Sequence, residues 1–340
     1  MNSTSAANTN LENTTGSLRI VPSKAEGIAL CTGFIVSFVF IVIGNLVTIG
    51  LFVVKRRLHK RSLFLVINMA FADLMLGILT LPLYIYIVGN SFELWNGGWL
   101  MSLSIFYTTV DTFFSQASLI SATFISGERY YAICWPFEHR TLSMRAYRNI
   151  ICTVWSLTLV ITALWSTSYS LISYKRAVYV WTPYILIQIF IINGCNIGIW
   201  RKFRHGTIAS QQQDRDSRNK RLTKTLMLVS CLVSLSWLPL VILNCLIYVS
   251  DVQIPRKFYF LVNVINYSNS FANPVVYALR ISEFKEALVL CWLRKPAAPN
   301  IVNIERRRQT FVVAPSMELS TSRTDRSQLA FEPENLDTEL

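Results

Sequence analysis

Residues 100–132 read LMSLSIFYTTVDTFFSQASLISATFISGERYYA, and the reading of this stretch decides the fold. As a helix it is long enough to cross a bilayer, whose roughly 30 Å of hydrocarbon takes about 20 predominantly apolar residues. It nevertheless carries an acid near its start and a base near its end. Asp111 and Arg129 are 18 residues apart, about five turns, so they share one face and lie about 27 Å apart along the axis. That span matches the hydrocarbon thickness, which places the acid near the outer mouth and the base near the cytoplasm. Simpler accounts exist for each: Arg129 could snorkel to the interface and Asp111 could pair with a lysine. No Lys or Arg lies in the outer half of another apolar run, so Asp111 has no obvious internal counter-ion.

Six more runs of spanning length flank this one, roughly Gly27–Val54, Leu63–Val88, Ile150–Ile172, Val178–Trp200, Leu222–Val249 and Phe258–Leu279. The composition agrees: 340 residues are 52% hydrophobic and 15% charged, with mean hydropathy +0.40, too apolar for a soluble domain. A net charge of +13 could suggest nucleic acid, but its placement excludes that reading. Lys55, Arg56, Arg57, Lys60, Arg61, Arg140, Arg145, Arg148 and a dense set from Arg201 to Lys224 sit between runs on one side, against Lys175, Arg176, Arg256 and Lys257 on the other. The positive-inside rule puts the C-terminus in the cytoplasm and the N-terminus outside. The expected organisation is an all-α seven-transmembrane bundle at 27–280, after a disordered extracellular segment at 1–26. An amphipathic cytoplasmic helix at 281–293 and a disordered tail at 294–340 follow.

The flanks carry short motifs. Asn2 and Asn13 head Asn-x-Thr acceptors for glycosylation in the outer segment. No cleavable leader is recognised ahead of Gly27, so the first run is expected to direct insertion. Cys291, beside the amphipathic stretch, is either a palmitoylation site or a free thiol. Thr338 and Leu340 end the chain as a PDZ domain's ligand does, with an apolar last side chain and a hydroxyl two residues earlier. The seven cysteines show no clear extracellular pair.

Ionisable groups at membrane depth cost at least a few kcal/mol, which makes each a functional candidate. Asp73 stands midway in the second run, and with Asn45, Ser118, Asn269 and Asn273 it can build one buried polar cluster. Such a cluster can either tie helices together or hold an ion.

Glu128-Arg129-Tyr130, Ser236-Trp237-Leu238-Pro239 and Asn273-Pro274-Val275-Val276-Tyr277 appear in order in the third, sixth and seventh runs, with Asn45, Pro82, Asp73 and Trp155 in the others. Together they resemble the rhodopsin-like class of G-protein-coupled receptors over residues 27–293. The resemblance implies that an extracellular ligand is transduced into activation of a heterotrimeric G protein, with arrestin and a receptor kinase as further partners and the plasma membrane as location. It implies that Glu128, Arg129, Tyr130, Pro239, Pro274 and Tyr277 carry activation. Asp73, Ser118, Asn269 and Asn273 would hold an allosteric sodium ion, and Asp111, Ser115, Trp237, Leu240, Asn244, Asn263 and Tyr267 would meet the ligand. Pro239 removes a backbone donor and kinks its helix, so the cytoplasmic half can swing outward as a rigid body.

Departures from the pattern narrow the subfamily in two directions. The usual outer disulfide is absent at both ends, near Ser104 and in the short loop Ser173–Arg176. Gln188 stands where the fifth helix usually has proline, and Asn219 where many members have an acid facing Arg129. These features resemble the melanocortin, cannabinoid and lysophospholipid receptors. Asp111, Asn263 and Tyr267 instead match the biogenic-amine receptors, although Leu240 and Val241 replace the aromatics that cage amines there. A cationic amine, a peptide and a lipid therefore stay open as ligand. A transporter is the competing class, disfavoured by seven spans without repeats. An enzyme is disfavoured because His59, His139 and His205 lie in cytoplasmic loops and no metal-ligand spacing or nucleophile–base pair is visible.

Overall fold

The structure is a computed structural model that describes residues 23–54, 61–95, 101–171, 174–205, 213–250, 252–280, 284–286 and 288–289. Asn2, Asn13, Cys291, Thr338 and Leu340, and the side chain of Asn219, lie outside the described residues. Among the described residues seven long helices follow one another: Lys24–Val54, Arg61–Ser91, Met101–Cys134, Met144–Leu171, Tyr174–His205, Gln213–Asn244 continued by a π turn to Val249, and Arg256–Arg280. They are numbered here in that order as the first to seventh helices. Five are apolar enough to cross a membrane on composition alone, and the third and seventh are not among them. Those two carry Asp111, Arg129 and the asparagines of the last span. Their polar side chains are tolerated because they turn inward, and most of them are buried.

The third helix is central, packing against the second, fourth, fifth and sixth, while the seventh packs against the first and sixth. Lipid offers no hydrophobic gain for pressing helices together, so close approach and interhelical hydrogen bonds do that work. A Cβ on Gly44 would lie 3.0 Å from Pro274, and one on Gly77 would lie 2.9 Å from Ile41. Asn68 donates to Ser121 (2.9 Å) and accepts from the Trp155 indole (2.9 Å), tying the second, third and fourth helices. Gln188, in the position where proline was expected, donates to Gln116 and accepts from Thr123, both at 3.3 Å. A fifth-to-third polar bridge thus occupies the place of a proline break, and the fifth helix has its proline nearer its N-terminal end, at Pro183.

The second helix passes through a π turn at Leu76–Thr80 immediately before Pro82, where a missing backbone donor must be absorbed. Pro239 and Pro274 lie inside the sixth and seventh helices. Only residues 172–173 separate the fourth helix from the fifth. Lys175 and Arg176 therefore belong to the first turns of the fifth helix and not to a loop as the sequence suggested, because the hydrophobic pattern marks where apolar residues begin rather than where the backbone turns helical. His139, also read as a loop residue, lies in a short helix, Pro136–Thr141. Of the expected cytoplasmic helix, the described positions 284–286 and 288–289 are helical, and Phe284 is buried against Tyr277 with ring centroids 6.2 Å apart.

Candidate functional site

The side chains singled out in the sequence fall at three depths along the bundle. At one end a cavity of about 740 Å³ is lined by Asp111, Ser115, Trp237, Leu240, Asn244 and Asn263 among others, a size suited to a small ligand or a peptide end. Tyr267 stands behind Asp111 and donates to its Oδ1 at 2.6 Å. That proton is committed, so the 3.0 Å contact between Tyr107 and Tyr267 has Tyr107 as donor. The relay is fixed by packing: Tyr84 stacks on Tyr107 with centroids 5.2 Å apart. Asp111 therefore has a hydroxyl partner that the sequence did not reveal, and no basic partner among the described residues. Asn263 donates one amide N–H to the Tyr259 carbonyl at 2.8 Å, leaving its oxygen as an acceptor on the wall.

The lining includes Oδ1 of Asn244 and Nδ2 of Asn266, each buried without a hydrogen-bond partner. A buried polar atom left unpaired costs about 1–3 kcal/mol, so a ligand offering a donor to the first and an acceptor to the second recovers that cost. Asn266 was missed in the sequence. Its signal was present, because Asn263, Asn266, Asn269, Ser270 and Asn273 recur every three or four residues along one helical face.

Midway down, Asp73 is fully buried and accepts from Ser118 at 2.7 Å, Ser270 at 2.8 Å and Asn273 at 2.9 Å. Asn45 joins indirectly, donating to the Ser270 carbonyl at 3.1 Å. Asn269, expected in this set, makes no hydrogen bond to Asp73. Ser270 takes that place, since one residue is a rotation of about 100° on a helix and turns Asn269 off the line to Asp73. The amide oxygens of Asn45, Asn269 and Asn273 are buried without donors. A carboxylate with surplus neutral oxygens and no paired base among the described residues is a donor set that fits a hard cation.

At the opposite end Arg129 is 4% exposed and is held by the Glu128 carboxylate and by the Ser62 hydroxyl. The arginine does not snorkel. Glu128 also accepts from Tyr147 at 2.8 Å and contacts His139 Nε2 at 2.7 Å, two partners that no sequence spacing indicated. Tyr130 packs on Gly198 of the fifth helix, where a Cβ would come within 2.5 Å of its ring. Tyr277 is fully buried and its hydroxyl has no partner, so a rearrangement that gave it one would be favourable. Above this layer the sixth helix is pinned by Ser126–Ser230 (2.8 Å) and Asn193–Ser234 (3.1 Å) hydrogen bonds.

A ligand-sized cavity, a buried carboxylate cluster and a caged arginine on one seven-helix bundle define a transmembrane receptor. Residues 44–277 match the family described as 7 transmembrane receptor (rhodopsin family), and the chain belongs to it. It is 25% identical over 279 residues to the Adenosine receptor A3 of Ovis aries, covering 73% of this chain and 84% of that one. With the Bos taurus Adenosine receptor A3 it shares 24% over 294 residues, 76% and 90% of the two chains. Identity to the Substance-P receptor of Homo sapiens is 24% over 277 residues, 72% and 66%. The protein is accordingly a multi-pass membrane receptor that couples an extracellular ligand to a G protein, and not an enzyme.

Proposed function

We propose that this receptor sits in the plasma membrane with its N-terminus outside and responds to a cationic ligand whose ammonium pairs with Asp111. The observation that carries the reading is the Asp111 carboxylate on the cavity wall, oriented by Tyr267 and without a basic partner among the described residues. A ligand ammonium there gains a charge-assisted hydrogen bond in a desolvated site. These relatives differ in the ligand their names give, adenosine and substance P, so kinship at this level leaves the ligand to the cavity's own chemistry. The test is a screen of amines, peptides and lysolipids on receptor-bearing membranes, read as nucleotide exchange on added G protein. Amines that work on wild type and fail on Asp111→Asn support the reading, whereas a neutral or anionic agonist with full effect on both overturns it.

The Asp73 cluster is read as a sodium site that favours the inactive state. Sodium replacing potassium at constant ionic strength should lower agonist affinity, and Ser270→Ala should blunt that effect along with Asp73→Asn. Agonist affinity indifferent to the exchange in wild type would remove the site from the mechanism. On the cytoplasmic side, arrestin and a receptor kinase are further partners. Asn2 and Asn13 are read as glycosylated, Cys291 as palmitoylated, and the Thr338–Leu340 end as a PDZ ligand, which amidation of Leu340 should disable in a peptide pull-down.

A further inference from the structure

A second pocket, about 130 Å³, lies between the fourth and fifth helices and is lined by Leu164, Trp165, Ser168, Ala177, Val180 and Trp181 among others. Trp165 and Trp181 line the ligand cavity as well, so these two indoles, with ring centroids 4.9 Å apart, form the partition between the two spaces. On its far side the pocket is open among the described residues: Leu164 is 65% and Val180 is 74% exposed, which in a spanning helix means contact with lipid chains. Two of its lining residues carry hydroxyls, Ser168 and Tyr184; Ser168 donates to the Leu164 carbonyl at 2.8 Å, and the rest of the lining is aliphatic or indole, so the chemistry offered is mainly apolar.

The geometry points to an amphiphilic ligand: a cation held at Asp111 whose apolar tail passes the Trp165–Trp181 partition and ends between the fourth and fifth helices. This rests on the Asp111 reading and adds the ligand class. Three observations choose the ligand's own tail over an unconnected occupant. The pocket adjoins the charged cavity across two shared walls, Trp165 and Trp181, whereas a separate lipid site would need none. The indoles meet at a tilted 38°, not interlocked edge to face, so rotation of one ring opens the way without moving a helix. The fourth and fifth helices are joined across 172–173 alone, which keeps their outer ends together and makes the gap a fixed slot in the wall. A tail in that slot leaves water for an apolar lining at one end and hydrocarbon at the other.

The test uses full-length receptor in phosphatidylcholine nanodiscs and a graded series of primary n-alkylamines from ethylamine to octylamine. Affinity is read from the ligand-dependent rise in unfolding temperature. In wild type, affinity should climb about fourfold per added methylene until the pocket is filled. Ala177→Leu, which fills the pocket, should flatten that climb while leaving ethylamine unchanged. Val180→Phe closes the pocket from its lipid side, where an added ring projects into the bilayer, and should act alike if Ala177→Leu folds poorly. Partitioning of longer amines into the bilayer is common to all variants and cancels in the comparison. A climb equally steep in wild type and both filled variants overturns the tail assignment, and so does a filled variant that weakens ethylamine as much as octylamine, the mark of a bilayer lipid in the slot. In either case loss of all amine binding in Asp111→Asn leaves the cation reading standing. Amine binding undiminished in Asp111→Asn overturns both.

Discussion

Asp111→Asn should reduce the potency of a cationic agonist by about 100-fold or more while the receptor reaches the membrane and folds. Truncating one side of a desolvated charge pair costs about 2–5 kcal/mol, and each 1.4 kcal/mol is about tenfold in affinity. Asparagine is the informative replacement because its side-chain oxygen still accepts the 2.6 Å hydrogen bond from Tyr267, so the Tyr107–Tyr267 relay and the stack on Tyr84 survive. What is lost is charge alone. Tyr267→Phe supplies the graded control: it keeps the carboxylate but frees its orientation, a neutral-to-charged hydrogen bond worth about 1.5–3 kcal/mol, and should cost less than Asp111→Asn. Competition binding against a radiolabelled antagonist that lacks an ammonium measures both. Agonist potency within about threefold of wild type in Asp111→Asn, under about 0.7 kcal/mol, would remove Asp111 as the anchor.

The bundle itself was legible because membrane spans announce themselves by length and apolarity, and because Asp111 and Arg129 on one face fix which helix joins the two surfaces. The sequence reading was least secure on composition for the third and seventh helices, which fall outside the five that hydropathy alone supports, and there the motifs carried the identification. Within the site, positions that depend on helical phase could be read along a single helix, as with the asparagine ladder of the seventh. Which member of a ladder meets Asp73 could not: Asn269 and Ser270 are neighbours in the chain, and only the rotation of the packed helix selects the serine. Partners from different helices left no local trace at all. Ser62, Tyr147 and His139 converge on Glu128 and Arg129 from three separate segments, and that convergence is a property of tertiary packing. The fourth-to-fifth connection was misjudged for a further reason, since Lys175 and Arg176 are polar residues that extend a helix beyond its apolar core.

Arg129→Ala should abolish ligand-stimulated nucleotide exchange while antagonist affinity stays within about threefold of wild type, because the arginine lies about 27 Å along the helix from Asp111 and touches nothing in the ligand cavity. Its present partners are all on the receptor's own side: Glu128 within the same turn and Ser62 on the second helix. Asn219 cannot supply the carboxylate that many family members set against this arginine, so restraint of the cytoplasmic end rests on the Glu128 cage and on neutral hydrogen bonds to the sixth helix. Neutral bonds such as Ser126–Ser230 and Asn193–Ser234 average about 0.6 kcal/mol each within membranes, little against the several kcal/mol that separate well-closed from well-open populations. Glu128→Gln therefore carries the opposite expectation to Arg129→Ala. It keeps an acceptor for Tyr147 but removes the charge that holds Arg129, and agonist-free exchange should rise several-fold. Ser230→Ala should raise it as well, by less. The paired outcome is what separates a conformational lock from a merely structural cage: a cage needed only for folding would lower surface expression and antagonist binding in both Glu128→Gln and Arg129→Ala. A lock leaves antagonist binding intact in both and drives basal exchange in opposite directions. Basal exchange unchanged in Glu128→Gln, at normal expression, would show that the closed state is held elsewhere.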